Sequence, residues 1–305
     1  MPGRRGTPES EGNVKVLLLA AGLGTRLYPL TETVPKCLVP VAGRPLLDYW
    51  FDRLGEAGLR EVLINTHHLA GRVRAYIERM NAKGDFNISE AFEPHLLGSA
   101  GTIRANRGFA DDAEHCLIVY ADMFSDVDLA EFLRFHGSHG DPFTMMLFRA
   151  SDPRACGIAE LDAAGRVIAF EEKPRYPASN LANGGVYAVT ADAYREIADM
   201  DRIDIGYQVL PAFVGRMRGW EWNGYHRDIG SPDALRRASA DAPLVLARRA
   251  AVCTRTLPES SVAMAPSARV CAEIHARLVR GAAEASCSPK RAIPPCQSGI
   301  FAEGP

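Results

Sequence analysis

Two cations, Arg26 and Lys36, flank a proline-punctuated stretch that leaves a glycine turn: LLLAAGLGTRLYPLTETVPKCLVPV, residues 17–41. Glycine lets backbone N–H groups come close to a phosphate, and successive amides form an anion-binding concavity. Arg26 can fork two phosphate oxygens, and Lys36 offers a point charge. Two familiar phosphate loops do not fit. The dinucleotide pattern G-x-G-x-x-G fails because Leu27 occupies the third glycine position, and the Walker pattern fails because no Gly-Lys dipeptide occurs in the chain. What remains is G-x-G-T-R followed by P-K; the competing reading is a strand-to-loop turn with solvated cations.

The elements that must hold this turn alternate. Val14–Ala20 reads as a buried strand that delivers the chain to the turn. Arg44–Ala57 is expected to be helical, with Pro45 in its first turn, Leu47, Trp50, Phe51 and Leu54 on one face and Gly58 beyond its end. A short strand is expected at Glu61–Asn65. An amphipathic helix follows at Ala70–Asn81, through Val73, Tyr76, Ile77 and Met80. Phe86–Glu90 and His115–Tyr120 read as strands, Ser99–Arg107 and Leu129–His136 as helices. Strand and helix alternating at this spacing predict an α/β fold: a doubly wound, mixed but mainly parallel sheet. From Phe143 onward, FTMMLF, GIAELDAAGRVIAFEEKP and NGGVYAV are strand-rich and hairpin-like, and 191–198 and 204–214 look helical. A small mixed subdomain packed on the same sheet is expected here.

Composition narrows the function. The chain has 305 residues, 47% hydrophobic and 24% charged, enough for a full core. A net charge of −2 gives no general case for nucleic acid or an anionic membrane, so an anion site must be local. No apolar run approaches the roughly 20 residues of a spanning helix. The start, MPGRRGTPESEGN, has no apolar h-region and reads as a ragged tail, which points to a cytoplasmic protein. The seven cysteines form no C-x-x-C pair and read as reduced thiols. The catalytic domain is expected over 14–240. Residues 241–305 hold eight Lys and Arg against five Asp and Glu. That segment reads as a poorly ordered tail or a vestigial β-helix, with Met264, Val270 and Ala276 six apart.

The stretch LAAGLGTRLYPLTETVPKCLVPVAGRPLLDY resembles the signature of the sugar-phosphate nucleotidyltransferases, L-x-x-G-x-G-T-R-L-x-P-L-T then P-K-x-L-x-P-V. Other pieces match in order: EPHLLGSAGTI is similar to the family's base-binding segment, IVYADMFSDVDL to the strand that ends in a metal-binding Asp, CGIAELDAAGRVIAFEEKP to the segment that holds the sugar phosphate, LANGGVY to N-A-G-x-Y, and GYHRDIGSPDAL to W-x-D-I-G-T-P. The resemblance spans about Val14 to Ala240. It implies attack by a sugar 1-phosphate on the α-phosphorus of a nucleoside triphosphate, with Mg2+ as cofactor. Those two substrates are then the partners; a homo-oligomer is left open.

The resemblance implies roles. Arg26 stabilises the triphosphate and leaving group, and Lys36 orients the α-phosphate. Asp122 and Asp228 hold Mg2+. Ala20, Ala21, Gly22, Gly24, Thr25, Gly98, Ala100 and Gly101 line the nucleotide. Gly157, Glu172, Lys173, Asn183 and Gly185 bind the sugar phosphate. EPHLLGSAGTI is more similar to guanylyltransferases acting on mannose 1-phosphate or a manno-heptose phosphate than to thymidylyl- or uridylyltransferases. Departures are Ala121 before the metal Asp, Ser99 for the usual Thr, and Gln208 where many members carry an acid.

The chemistry of the residues agrees. Two unit charges 4 Å apart cost about 4 kcal/mol at an effective dielectric of 20, so joining two phosphate esters needs cations. Two converging carboxylates repel unless a hard cation joins them, and Mg2+ favours one or two carboxylates plus phosphate oxygens. Asp122 could instead cap a helix, and Asp228 could cap the helix opening at Ser231 and Pro232. Lys173 precedes Pro174, which is expected to hold it extended; Glu172 can accept sugar hydroxyls. A surface charge pair is the alternative there, and a tight turn is the alternative at Asn183–Gly185. His67 and His68 read as loop histidines, His136 and His139 as a helix face, Asp126 and Asp128 as caps for the helix at Leu129, and Met145–Met146 as core. A non-catalytic sugar-nucleotide sensor of the same fold and a nicotinamide oxidoreductase are the rival classes; Leu27 opposes the second.

Overall fold

The computed structural model describes residues 13–255. Chain packing separates residues up to Val252 from Cys253–Pro305, and the whole sheet belongs to the first unit. Along the chain come β1 (Val14–Leu19), a two-residue ladder of β2 (Pro40–Val41) and β3 (Arg44–Pro45), α1 (Leu46–Glu56), β4 (Glu61–Thr66), α2 (Ala70–Asn81), β5 (Asn87–Phe92), α3 (Ser99–Ala105), β6 (His115–Tyr120), β7 (Met123–Ser125), α4 (Leu129–Gly137), β8 (Phe143–Arg149), β9 (Gly157–Leu161), β10 (Val167–Glu172), β11 (Leu181–Thr190), α5 (Ala191–Asp199), a π-helical turn (Ile205–Val209), α6 (Leu210–Phe213), β12 (Met217–Glu221), β13 (His226–Asp228) and α7 (Pro232–Arg255).

Nine strands form one mixed sheet, ordered β10-β9-β11-β6-β1-β4-β5, with β8 beside β11 and β12 beside β8. β6, β1, β4 and β5 run parallel; β11 reverses direction against β6 and opens an antiparallel half. The strand-rich region after Phe143 therefore extends the same sheet.

β1 shows why helices cover both faces. Its residues alternate between two cores: Val16 and Leu18 join α1, α2 and α4, while Leu17 and Leu19 join α3, α5 and α6. A strand buried on both sides has no polar face, which is the pattern of a central parallel strand. On α1, Leu47, Trp50, Phe51 and Leu54 are all buried, each side chain worth roughly 1.5–3 kcal/mol. Pro45 lies just before α1, paired in the β2–β3 ladder, rather than in its first turn.

A third core packs Leu27, Val39 and Val41 from the long loop onto Phe124 of β7, Ile229 after β13, and Ala238 and Ala242 of α7. This cluster pins the loop carrying Arg26 and Lys36 over the strand that ends at Asp228. α7 is continuous across residue 240, so the helix begun by Ser231–Pro232 runs past the boundary expected there. The hexad-spaced segment at 261–279 lies outside the described residues.

Candidate active site

Both acidic groups sit where strands end. β6 delivers Asp122 two residues beyond Tyr120, and β13 ends on Asp228. β7 and β13 pair antiparallel with Asp228 opposite Met123, which places the two aspartates side by side. Lys36 lies between them: its Nζ is 2.5 Å from Asp122 Oδ2 and 3.3 Å from Asp228 Oδ1. Arg26 reaches Asp228 Oδ2 at 3.4 Å from an exposed position; a pair this exposed adds little stability. Lys36 itself is only 7% exposed. Burial alone would lower its pKa, but Asp122 and Asp228 outweigh that and raise it, so it stays charged.

The glycine turn is held from below. Gly24 takes a left-handed conformation, φ 65°, and a Cβ there would lie 2.9 Å from Thr31 and 3.2 Å from Lys36. Thr31 Oγ1 donates to Gly24 O at 2.8 Å, and Leu27 N closes a turn onto Gly24 O at 2.9 Å. Buried Leu27 anchors the end of that turn, leaving Thr25 and Arg26 exposed.

Two cavities open on either side of the Lys36–aspartate cluster. The first is lined by Ala20, Ala21, Gly22, Lys36, Gly98 and Asp122, with Asn65 and Glu93 as further polar walls. The second is lined by Gly157, Glu172, Lys173, Asn183, Gly185 and Asp228. Tyr120 and Asp204 border both. Gly24 and Thr25 shape the loop beside the first cavity instead of lining it. Ala100 and Gly101, expected against the nucleotide, do not line it either: they are buried in α3, and their N–H groups donate to Ile203 O at 2.9 and 3.4 Å.

Asn65, Glu93, Tyr120 and Asp204 escaped the sequence reading. Asn65 is the penultimate residue of β4, and its Oδ1 accepts from Ala20 N at 2.6 Å. Glu93 is 2% exposed. It accepts from Asn65 Nδ2 at 2.9 Å, from Thr102 Oγ1 at 2.5 Å and from Leu97 N at 3.2 Å. A polar residue closing the apolar run VLINT was the only sequence signal for Asn65; nothing local marks Asp204.

In the second cavity, Glu172 lies between two glycines. A Cβ on Gly157 would collide with its carboxylate and with the Phe170 ring, and one on Gly206 would lie 2.9 Å from Glu172 Oε2. Burial raises the Glu172 pKa; Lys173 opposes the shift and Asp204 adds to it. Lys173 is left-handed, φ 52°, and not extended as expected before Pro174. Such a backbone costs a non-glycine residue of order 1–3 kcal/mol and clusters at functional sites. Its ammonium lies 4.0 Å from Glu172 and 5.8 Å from the Tyr207 ring centre. Asn183 sits in an irregular part of β11, not a turn; it donates to Tyr187 OH and accepts from Gly185 N, shaping the wall.

Asp128 caps α4, accepting from Glu131 N, whereas Asp126 accepts from Trp222 Nε1 and Tyr225 N. Met145 and Met146 are core. His67 and His68 bond the carbonyls of Glu93 and Thr31. Cys37 and Cys116 are free and buried, and Cys156 is free and half-buried.

A glycine turn with two cations, facing paired carboxylates at the carboxyl ends of strands and flanked by two cavities with charged groups on their walls, defines a site for phosphate-bearing ligands in an α/β fold. Residues 15–243 match the family model described as nucleotidyl transferase, and the chain belongs to that family. It is 33% identical over 232 residues to the mannose-1-phosphate guanylyltransferase of Mycobacterium tuberculosis, covering 75% of this chain and 64% of that one. It is 30% identical over 223 residues to the Danio rerio mannose-1-phosphate guanylyltransferase catalytic subunit beta, covering 72% and 62%. The chain thus spans less than two thirds of these relatives' lengths. A crystallised Bacillus anthracis protein assigned as a glucose-1-phosphate thymidylyltransferase shares the fold, with TM-score 0.68 at 22% identity, over 75% of this chain and 95% of that one. No described helix is long and apolar enough to cross a membrane.

Proposed function

We propose that this chain transfers a guanylyl group from GTP to mannose 1-phosphate or a manno-heptose 1-phosphate, releasing pyrophosphate. One observation carries the reading: Lys36 joins Asp122, on the wall of one cavity, to Asp228, on the wall of the other. Two phosphorylated substrates in those cavities would meet at the buried cation. The names of the relatives support guanine and mannose.

The residues fit Mg2+. Asp122 Oδ1 is buried and accepts no hydrogen bond from the described residues. Lys36 already bridges the two carboxylates, so Mg2+ would sit on the unpartnered Asp122 Oδ1 side and complete its shell with phosphate oxygens and water. Among the described residues no three His, Cys, Asp or Glu groups form a cage, so substrate oxygens would supply the remaining ligands. Bound there by Asp122 and Asp228, Mg2+ would neutralise charge on the reacting phosphates.

A phosphate oxygen is already nucleophilic at neutral pH, so the chain needs no side-chain nucleophile. Its work is positioning and charge stabilisation. Lys36, fixed by both aspartates, holds a positive charge where the two substrates meet. Exposed Arg26, held to Asp228 by one long and exposed ion pair, would exchange it for the triphosphate. Lys173 neutralises the acceptor phosphate, while Glu172 accepts ring hydroxyls. The free cysteines support a reducing, cytoplasmic setting.

The test is pyrophosphate release from a panel of nucleoside triphosphates and sugar 1-phosphates with Mg2+. GTP with mannose 1-phosphate or a manno-heptose 1-phosphate is expected to lead. Tight nucleotide binding with no release across the panel would instead indicate a sensor.

A further inference from the structure

Asp204 borders both cavities, and Gly206 and Tyr207, in the π-helical turn Ile205–Val209 that follows it, line the second. The segment 203–207 is held differently on each side. Toward the first cavity, Ile203 O accepts from Ala100 N, and Ser99 Oγ accepts from Ile205 N at 2.8 Å. That side has its own anchors, since Thr102 bonds Gly98 O, and Glu93 bonds both Thr102 and Leu97 N. Toward the second cavity, Asp204 Oδ1 accepts from Tyr207 N at 2.8 Å, and Gly206 packs under the Glu172 carboxylate.

Gln208 closes this turn. Its side-chain oxygen accepts two backbone N–H groups, Ile203 at 2.7 Å and Asp204 at 3.0 Å. Among the described residues no other bond holds those two amides, and the Gln208 backbone N–H donates back to Asp204 O at 3.2 Å. We propose that Gln208 is the positioning residue of the acceptor cavity: it fixes the backbone of residues 203–204, and through it the placement of Asp204, Gly206 and Tyr207 around Glu172 and Lys173. The inference rests on the second cavity taking the sugar phosphate, as proposed above.

The amide also matters electrostatically. A carboxylate could accept the same two N–H groups, more strongly. It would add a third negative group beside Asp204 and Glu172, at a cavity meant for a phosphate. An amide keeps the geometry without that charge.

The experiment compares Gln208→Ala and Gln208→Glu with the full-length parent. Steady-state kinetics read the KM of each substrate, and calorimetry reads mannose 1-phosphate and GTP binding directly. Loss of two capping bonds in Gln208→Ala is expected to weaken acceptor binding and raise acceptor KM by about tenfold. GTP binding should weaken by less than acceptor binding, because the first cavity shares only Asp204 of this segment and keeps the Glu93, Thr102 and Gly98 bonds. Gln208→Glu should recover most of the acceptor KM at low pH, where an added carboxyl is protonated, and less at neutral pH. A general folding defect would instead weaken both substrates together. Acceptor KM unchanged in Gln208→Ala, or both substrates weakened alike, overturns the positioning role alone. A parent protein that neither binds nor uses any sugar 1-phosphate overturns the functional reading, and this inference with it.

Discussion

Lys36 Nζ stands 2.5 Å from Asp122 Oδ2, although 86 residues separate them in the chain. The pair is formed by a loop residue buried to 7% exposure and a carboxylate just past a central strand, whose second oxygen has no hydrogen-bond donor among the described residues. Lysine occupies one oxygen of Asp122, and the other meets no donor among the described residues.

Asp122→Asn is expected to lower pyrophosphate release by a factor of about 100 or more, the scale on which electrostatic groups at reacting phosphates act. The fold should survive, since Lys36 keeps Asp228 as a partner. Turnover with a thermal melt on the same preparation checks this; near-normal turnover would remove Asp122 from the chemistry.

Chelation of Mg2+ should abolish turnover in the parent protein, and added Mg2+ should restore it. Pyrophosphate release before and after a chelator reads the outcome. Full activity in the chelator would exclude the assignment of Asp122 and Asp228 as ligands.

Gly24→Ala forces a side chain into left-handed backbone and against Thr31 and Lys36. The backbone term alone costs about 1–2 kcal/mol. A lower midpoint in denaturant together with reduced kcat is expected, because any relief of the clash moves Lys36.

Gly157→Ala places a methyl group where the Glu172 carboxylate and Phe170 ring now lie. Acceptor KM should rise while GTP binding holds, since Gly157 lines only the second cavity. Calorimetry with each substrate separates the two.

A buried imidazole, His136, between two half-buried ones gives a pH prediction away from the site. His136 bonds Thr144 Oγ1 at 2.7 Å and His115 Nδ1 at 3.1 Å, and His139 bonds the same threonine at 2.9 Å. Burial, then His115 and His139, pushes the His136 pKa down from 6.5 to about 3. Burial also lowers His115 and His139, with Glu114 opposing for the first and Asp141 for the second. Below pH 6.5 the unfolded chain then binds more protons than the folded one, so stability falls as pH falls. For His136 the slope approaches about 1.4 kcal/mol per pH unit, down toward its folded pKa. Urea unfolding at pH 7.5, 6.0 and 5.0 should show a shallower loss in His136→Gln than in the parent. Equal slopes would refute the assignment.

Much of the fold was legible because periodicity is local. α2 and β6 have the bounds read from the apolar pattern, Ala70–Asn81 and His115–Tyr120. Element bounds shifted where pairing or packing intervened: Pro45 was drawn into the β2–β3 ladder opposite Pro40, and α7 continues past residue 240 against the third core. The site was legible as far as its motifs reached. Lys173 took a left-handed backbone despite Pro174, because its N–H bonds Cys156 O across the sheet. Ala100 and Gly101 lost their amides to Ile203, a partner about 100 residues away that no local pattern announces.

By itself, the order of residues determined the alternating elements, the glycine turn with Arg26 and Lys36, and the two aspartates at strand ends, since each depends on near neighbours and on backbone preference. Only the tertiary structure decided that Lys36 would lie between Asp122 and Asp228, that two cavities would meet there, and that Asp204 would border both. Those relations join segments up to about 190 residues apart, and only the packing of the sheet, its loops and α7 brings them within bonding distance.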